Sequence, residues 1–269
     1  MLSTYEDLLP VALDAVDLAV DVLRRANGYG RLKPKGDRDY ASELDIDIER
    51  LLREHLRSAT PHISFFGEEE GSRDHGTDLR WILDPIDGTV NFVHGLPLYA
   101  VSLALISEQQ PVLGVIDLPA LGVRFRATRG GGAFCGDEPM PVPSPPSSLA
   151  SAIVAIGDYA VGNQAEEKNR ARLAVTTGLA ASALRVRMLG SAAIDLAWLA
   201  DARLDAAVTL SNNSWDMPAG VLIARETGHA VVDADGTDYN LRSAATIAAH
   251  PEILPEVLRI VQAANNTGT

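Results

Sequence analysis

Apolar residues recur about every 3.6 positions over residues 5–26, through Leu8, Ala12, Ala15, Leu18, Ala19, Val22 and Leu23. This predicts an amphipathic helix, ended by Gly28 and Gly30. After the polar loop Arg31 to Asp39 the spacing returns over 42–58, through Leu44, Ile48, Leu51, Leu52 and Leu56, with Ser42 as a cap. The period then shortens. His62 to Phe66 and Arg80 to Leu83 are apolar runs of strand type, and 98–106, 111–118 and 123–128 continue as strands. Arg129-Gly130-Gly131-Gly132-Ala133 lacks the Gly-Lys-Ser/Thr ending of a phosphate loop and reads as a hairpin turn. Beyond 150 the pattern alternates. Strands are predicted at 152–156, 185–189, 204–210, 230–232 and 245–248, with helices over 164–183, 191–200, 215–227 and 251–264. Such alternation predicts an α/β layer with helices on its faces. Pro141, Pro143, Pro145 and Pro146 with neighbouring serines form a linker. It divides the chain into halves, 1–145 and 146–269.

Charge narrows the partners. Of 269 residues, 23 are Lys or Arg and 36 are Asp or Glu, a net charge of −13. Nucleic acid and anionic membranes want Lys/Arg patches, so neither is expected as a partner, and no basic pocket is evident. The single cysteine, Cys135, cannot form an internal disulfide. Met1 to Asp7 lacks the basic and apolar regions of a signal peptide, and no apolar run is long enough to span a bilayer. The expectation is a soluble cytoplasmic protein.

The candidate chemistry centres on Asp84-Pro85-Ile86-Asp87-Gly88-Thr89-Val90-Asn91-Phe92. The apolar run before it puts Asp84 at a strand end, where Pro85 is expected to stop the ladder. Gly88 lets backbone approach a ligand, and Thr89 to His94 can open a short helix whose free N–H groups favour an anion. Glu68 follows the His62–Phe66 run directly, so two neighbouring strands ending in acids would bring Glu68 to Asp84. Asp216, in Ser214-Trp215-Asp216-Met217-Pro218-Ala219-Gly220, is expected at a helix start, with Trp215 as a core residue. A first-turn acid is favoured by the helix dipole on its own account, and the same holds for Asp45. Four carboxylates in one cleft (Glu68, Asp84, Asp87, Asp216) repel one another unless a divalent cation neutralises them. Oxygen donors without Cys or His point to Mg²⁺ rather than Zn²⁺. His94 is expected to be structural.

At these residues the chain resembles the inositol monophosphatase family of Mg²⁺-dependent, lithium-sensitive phosphatases. The resemblance is strongest over Trp81 to Gly95. Gly67-Glu68-Glu69 and Trp215-Asp216-x-x-Ala219-Gly220 match two further metal motifs in order, with weaker matches at Asp39 to Asp45 and Gly190-Ser191-Ala192-Ala193. The resemblance implies an αβαβα layered sandwich of two halves, like inositol monophosphatase and fructose bisphosphatase, and a homodimer. It implies two to three Mg²⁺ ions. Glu68, Asp84 and the Ile86 carbonyl would hold the first, Asp84, Asp87 and Asp216 the second, and Glu68 a weaker third. Thr89, bonded to Asp45, would help activate a water, with Glu68 beside them. Gly88 and Thr89 would bind the phosphate. Asp87, Gly190, Ser191, Ala192, Thr209 and Asp216 would meet the substrate, a small phosphorylated metabolite. Inositol-specific members carry a glutamate at the position of Thr209. One short hydroxyl accepts less than a carboxylate does, so inositol, histidinol, sugar or 3′-phosphoadenosine phosphates all stay open. The lysine before Asp39 is Lys33 or Lys35. Two rivals remain: a phosphatase using Asp45-Ile46-Asp47 as an aspartyl nucleophile, and a non-catalytic regulatory protein of this fold.

Overall fold

The computed structural model describes residues 5–26, 32–36, 39–73 and 78–266. A short 3-10 turn leads into α1 (Leu9–Arg25). There follow β1 (Leu32–Gly36), β2 (Asp39–Ser42), α2 (Glu43–Ala59), β3 (Ser64–Gly67), β4 (Gly71–Arg73), β5 (Leu79–Asp87) and α3 (Thr89–Val93). Then come β6 (Ala100–Ser107), β7 (Gln110–Leu118), β8 (Val123–Thr128), β9 (Gly132–Cys135) and β10 (Glu138–Pro139). After the proline-rich segment lie β11 (Ile153–Ile156), α4 (Ala165–Ser182), β12 (Arg185–Arg187), α5 (Ala192–Ala200), β13 (Ala206–Thr209) and α6 (Pro218–Glu226). The chain closes with β14 (Ala230–Val232), β15 (Thr246–Ala249) and α7 (Leu254–Asn266). Among the described residues one sheet runs β10-β9-β8-β7-β6-β5-β3-β4 and another β12-β11-β13-β15-β14, beside the small β1-β2 hairpin. No helix among them is long and apolar enough to cross a membrane.

Strand periodicity builds the layers. Successive side chains point to opposite faces, so Trp81, Leu83, Leu103 and Leu105 meet Val16 and Val20 of α1 and Leu52 and Leu56 of α2. On the opposite face, Ile82, Ala104 and Ile116 meet Ala193 and Ala197 of α5 and Leu222 and Ile223 of α6. The far side of those helices, with Leu196, Leu199 and Val221, packs on Ala155, Ala207 and Ala248 of the second sheet. That sheet's other face, Val154, Val208 and Ile247, is covered by Val175 and Leu179 of α4 and Val257 and Val261 of α7. The result is the αβαβα sandwich expected from the resemblance. Both sheets are covered on both faces, which is why their strands read as near-continuous apolar runs.

The structure corrects the sequence reading at several points. Pro85 does not stop the ladder: β5 continues to Asp87. Asp84 pairs with Ser102 and Asp87 with Ala100, so three steps on β5 oppose two on β6. The extra residue is a bulge, where the N–H that proline lacks is not required. Asp216 lies not in α6 but in the turn before it, because Pro218 sets the first helical position. Trp215 packs at the edge of the core, half-buried, its ring centroid 5.9 Å from that of Phe66 with the planes tilted by 41°. His94 is exposed, not packed. The side chains of Lys33, Lys35 and Asp39 lie outside the described residues.

Candidate active site

Strand pairing starts the site. β3 and β5 run parallel with Gly67 opposite Leu83, and the Glu68 N–H donates to the Leu83 carbonyl at 3.3 Å. Glu68 and Asp84 therefore leave adjacent strands side by side. The 67–70 turn is held from below by Glu49 of α2, a residue the sequence reading passed over. Its buried carboxylate accepts from the N–H groups of Glu69 (2.7 Å) and Glu70 (3.0 Å) and pairs with Arg53 at 2.5 Å. A Cβ on Gly67 would fall 2.2 Å from that carboxyl carbon, so glycine is the residue that fits. The signal was present in the sequence: Asp45 and Glu49 sit among Ile48, Leu52 and Leu56 on the buried stripe of α2.

The bulge after Asp84 turns the chain into the site. The Ile86 N–H donates to Asp84 Oδ1 at 3.0 Å. Gly88 has φ +88°, and its Cβ would meet the Leu98 carbonyl at 2.9 Å. The Thr89 hydroxyl lies 2.9 Å from the Ile86 carbonyl and 3.3 Å from Asp45 Oδ1. It has one proton to share between them. Asp87 reaches across to the second half, accepting from Ser191 Oγ at 2.5 Å and the Ala193 N–H at 2.7 Å. Ser191 in turn caps α5 through Ile194 N–H. Asn91 stitches the same seam, its Nδ2 donating to the carbonyls of Leu98 and Leu189, both at 2.8 Å.

These elements line a cleft of about 560 Å³. Glu68, Asp87, Gly88 and Thr89 form one wall. Gly190, Ser191, Ala192, Thr209 and Asp216 reach it from the second half. Asp45 and Asp84 are buried behind it, with Ile86. Residues not anticipated from sequence also line it: Asp158, Tyr159, Lys168, Arg172, Asp195 and Asn213. The acidic cleft thus does have a basic side, contrary to expectation. Asp158 and Tyr159 follow β11, and Thr209 ends its parallel neighbour β13. The carboxyl ends of parallel strands are where α/β sheets place ligands, and that signal could have found them. Asp45 and Asp47 lie within α2 rather than at a strand end, and Asp47 is exposed, which removes the aspartyl-nucleophile reading.

The electrostatics are those of crowded acids. Burial raises the Asp84 carboxyl well above the usual range, and the charges of Glu68, Asp87, Asp216 and Asp45 push it further. Burial lifts Asp87 to about 6, against the lowering effect of its bonds from Ser191 and Ala193. Among the described residues no three Asp, Glu, His or Cys side chains converge as a ready-made ion cage. The acids instead act on Asp84 through their charges. Their donor chemistry, oxygen alone with excess negative charge, fits hard divalent cations.

A profile of the inositol monophosphatase family matches residues 5–266. The chain belongs to the inositol monophosphatase family. An inositol-1-monophosphatase of Rhizobium meliloti is 36% identical over 260 residues, 95% of this chain and 96% of that one. A fructose-1,6-bisphosphatase/inositol-1-monophosphatase of Thermotoga maritima is 34% identical over 261 residues, 93% of this chain and 96% of that one. The solved structure of a Thermotoga maritima IMPase matches with a TM-score of 0.86 at 31% identity, covering 98% of this chain and all of that one. Membership makes this protein a phosphoric monoester hydrolase, in a family that is generally Mg²⁺-dependent.

Proposed function

We propose that the protein hydrolyses a small phosphorylated metabolite in the cleft between its two sheets, with two to three Mg²⁺ ions. The observation that carries this reading is the set of acids whose charges act on buried Asp84, a repulsion that at neutral pH a divalent cation relieves without protonating them. Glu68, Asp84 and the Ile86 carbonyl are assigned to one ion, Asp84, Asp87 and Asp216 to a second, and Glu68 to a weaker third. Bound Mg²⁺ supplies charge neutralisation and acidifies water. Thr89 shares its proton between the Ile86 carbonyl and Asp45, so a donation to Asp45 leaves its lone pairs to accept from the attacking water. Gly88 and Thr89 offer N–H groups to the phosphate. Ser191 and Ala193 fix the Asp87 carboxylate, and Asp87, Gly190, Ser191, Ala192, Thr209 and Asp216 form the substrate surface.

The test is phosphate release from inositol, histidinol, sugar and 3′-phosphoadenosine phosphates with Mg²⁺, with and without Li⁺. Turnover of at least one, inhibited by Li⁺, is expected. Asp87→Asn should lose turnover by about two to three orders of magnitude, as for loss of a transition-state charge contact, with native circular dichroism. Full activity of folded Asp87→Asn would sink the assignment. We further propose a cytoplasmic homodimer. The family resemblance supports the pairing, and Val90, Leu96, Leu184 and Met188 are large apolar side chains left exposed. Sedimentation showing only a monomer at micromolar concentration would contradict it.

A further inference from the structure

The cleft has two chemically different sides. Besides the acids, α4 contributes Lys168 and Arg172 to the lining, one turn apart and so on one helix face. Arg172 is 9% exposed, and its Nη2 donates to Ser211 Oγ at 2.8 Å. It takes part in none of the ion pairs among the described residues. Burial lowers the pKa of its guanidinium. Asp158 lines the same cleft, its carboxyl raised by burial, and no ion pair joins it to Arg172 among those of the described residues. A guanidinium has five N–H donors, and a buried cation without a counter-charge is costly. The surrounding wall is built rather than loose. Asn169 of α4 holds both the N–H and the carbonyl of Ala160, at 2.7 and 2.9 Å, and the Tyr159 hydroxyl meets Thr176 at 3.0 Å.

We propose that Arg172, assisted by Lys168, is the receptor for a second anionic group on the substrate, a phosphate or carboxylate remote from the phosphate being hydrolysed. The proposal rests on the phosphatase reading, which places the scissile phosphate at Gly88 and Thr89. It makes Arg172 a specificity-determining residue: the fork geometry suits a bidentate oxyanion, and Lys168, exposed at the same face, adds a steering charge. A cleft of about 560 Å³ accommodates a ligand of hexose bisphosphate size.

The test compares kcat/KM with Mg²⁺ for glycerol 2-phosphate (uncharged tail), a hexose 1,6-bisphosphate (phosphate tail) and 3-phosphoglycerate (carboxylate tail). The wild type should prefer at least one charged-tail ester by about tenfold or more, mainly through KM. Arg172→Gln should erase about tenfold of that preference, Arg172→Lys should restore part of it, and Lys168→Gln should reduce it a few-fold. The better of the two charged tails identifies the anion. Preference unchanged in Arg172→Gln with a native melting temperature overturns the proposal. If Arg172→Gln does not fold, Lys168→Gln decides, since Lys168 is exposed: a preference unchanged to within about twofold counts against the subsite. Turnover of the uncharged ester with no charged-tail preference leaves the phosphatase reading standing and the subsite refuted. No turnover of any ester by the wild type refutes the phosphatase reading itself.

Discussion

Asp87 shows how much one side chain can carry. It belongs to the strongest motif in the sequence, and its type and neighbours already suggested a cation ligand. What the sequence did not show is that Ser191 and Ala193, more than a hundred residues later, hold its carboxylate. Those bonds keep its pKa near 6 despite burial. The sign of the pH effect follows. The cation binds the deprotonated form, so as pH falls through about 6 the ion assigned to Asp87 must displace a proton. Apparent Mg²⁺ affinity, measured by calorimetry with inorganic phosphate present, should therefore fall by up to about tenfold per pH unit below 6. An affinity flat between pH 8 and 5 would contradict this. Glu49 is the opposite case. Its position on a buried stripe was visible, but its task, accepting the N–H groups that shape the Glu68 turn, appears only once α2 lies under β3.

At the scale of elements, most of the pattern was legible because burial imposes its period locally. Most helices and strands fall where the 3.6 and 2 periods put them; the exceptions are the bulge at Pro85, the helix start at Pro218, and the β1–β2 hairpin, which forms over a stretch without apolar alternation that reads as a polar loop. The α6–β14 junction carries a pH-sensitive feature with no sequence signal. His229, 6% exposed, has its Nδ1 3.0 Å from the Thr227 hydroxyl. Burial is the main cause that lowers its pKa from 6.5 to about 4. The unfolded chain takes up the proton first, so stability present above pH 6.5 is lost progressively as pH falls towards 4. The fall corresponds to roughly 3 kcal/mol. Urea unfolding of His229→Gln should show an acid limb shallower than the wild type by about that amount, to within a factor of two. Parallel curves for the two proteins would rule out His229 as the cause.

For the whole molecule, the middle helical layer matters most. The helices α5 and α6 come from the second half of the chain, yet they cover the inner face of the first half's sheet, over Ile82, Ala104, Ile116 and Phe125. Residues 1–145 alone would leave that face in water. The fragment should thus lack a cooperative thermal transition and bind a hydrophobic dye, whereas the full chain melts as one unit. A well-dispersed NMR spectrum from the isolated fragment would show the halves to be independent. The interleaving also explains the site's position. Its parts come from the ends of β3, β5, β11 and β13, which the layering brings to one cleft.

The sequence by itself determined the fold class, the layer order through its family resemblance, and the acids of the candidate metal site, because those acids are anchored in short motifs next to strongly periodic segments. Tertiary structure decided what faces those acids. Arg172 sits in an unremarkable polar stretch of helix, and only the packing of α4 beside the strand ends turns it towards the cleft. Period and propensity act over a few residues. Strand order and helix docking are set by burial summed over the whole chain, so the meeting of opposite charges across the cleft is written in no single segment.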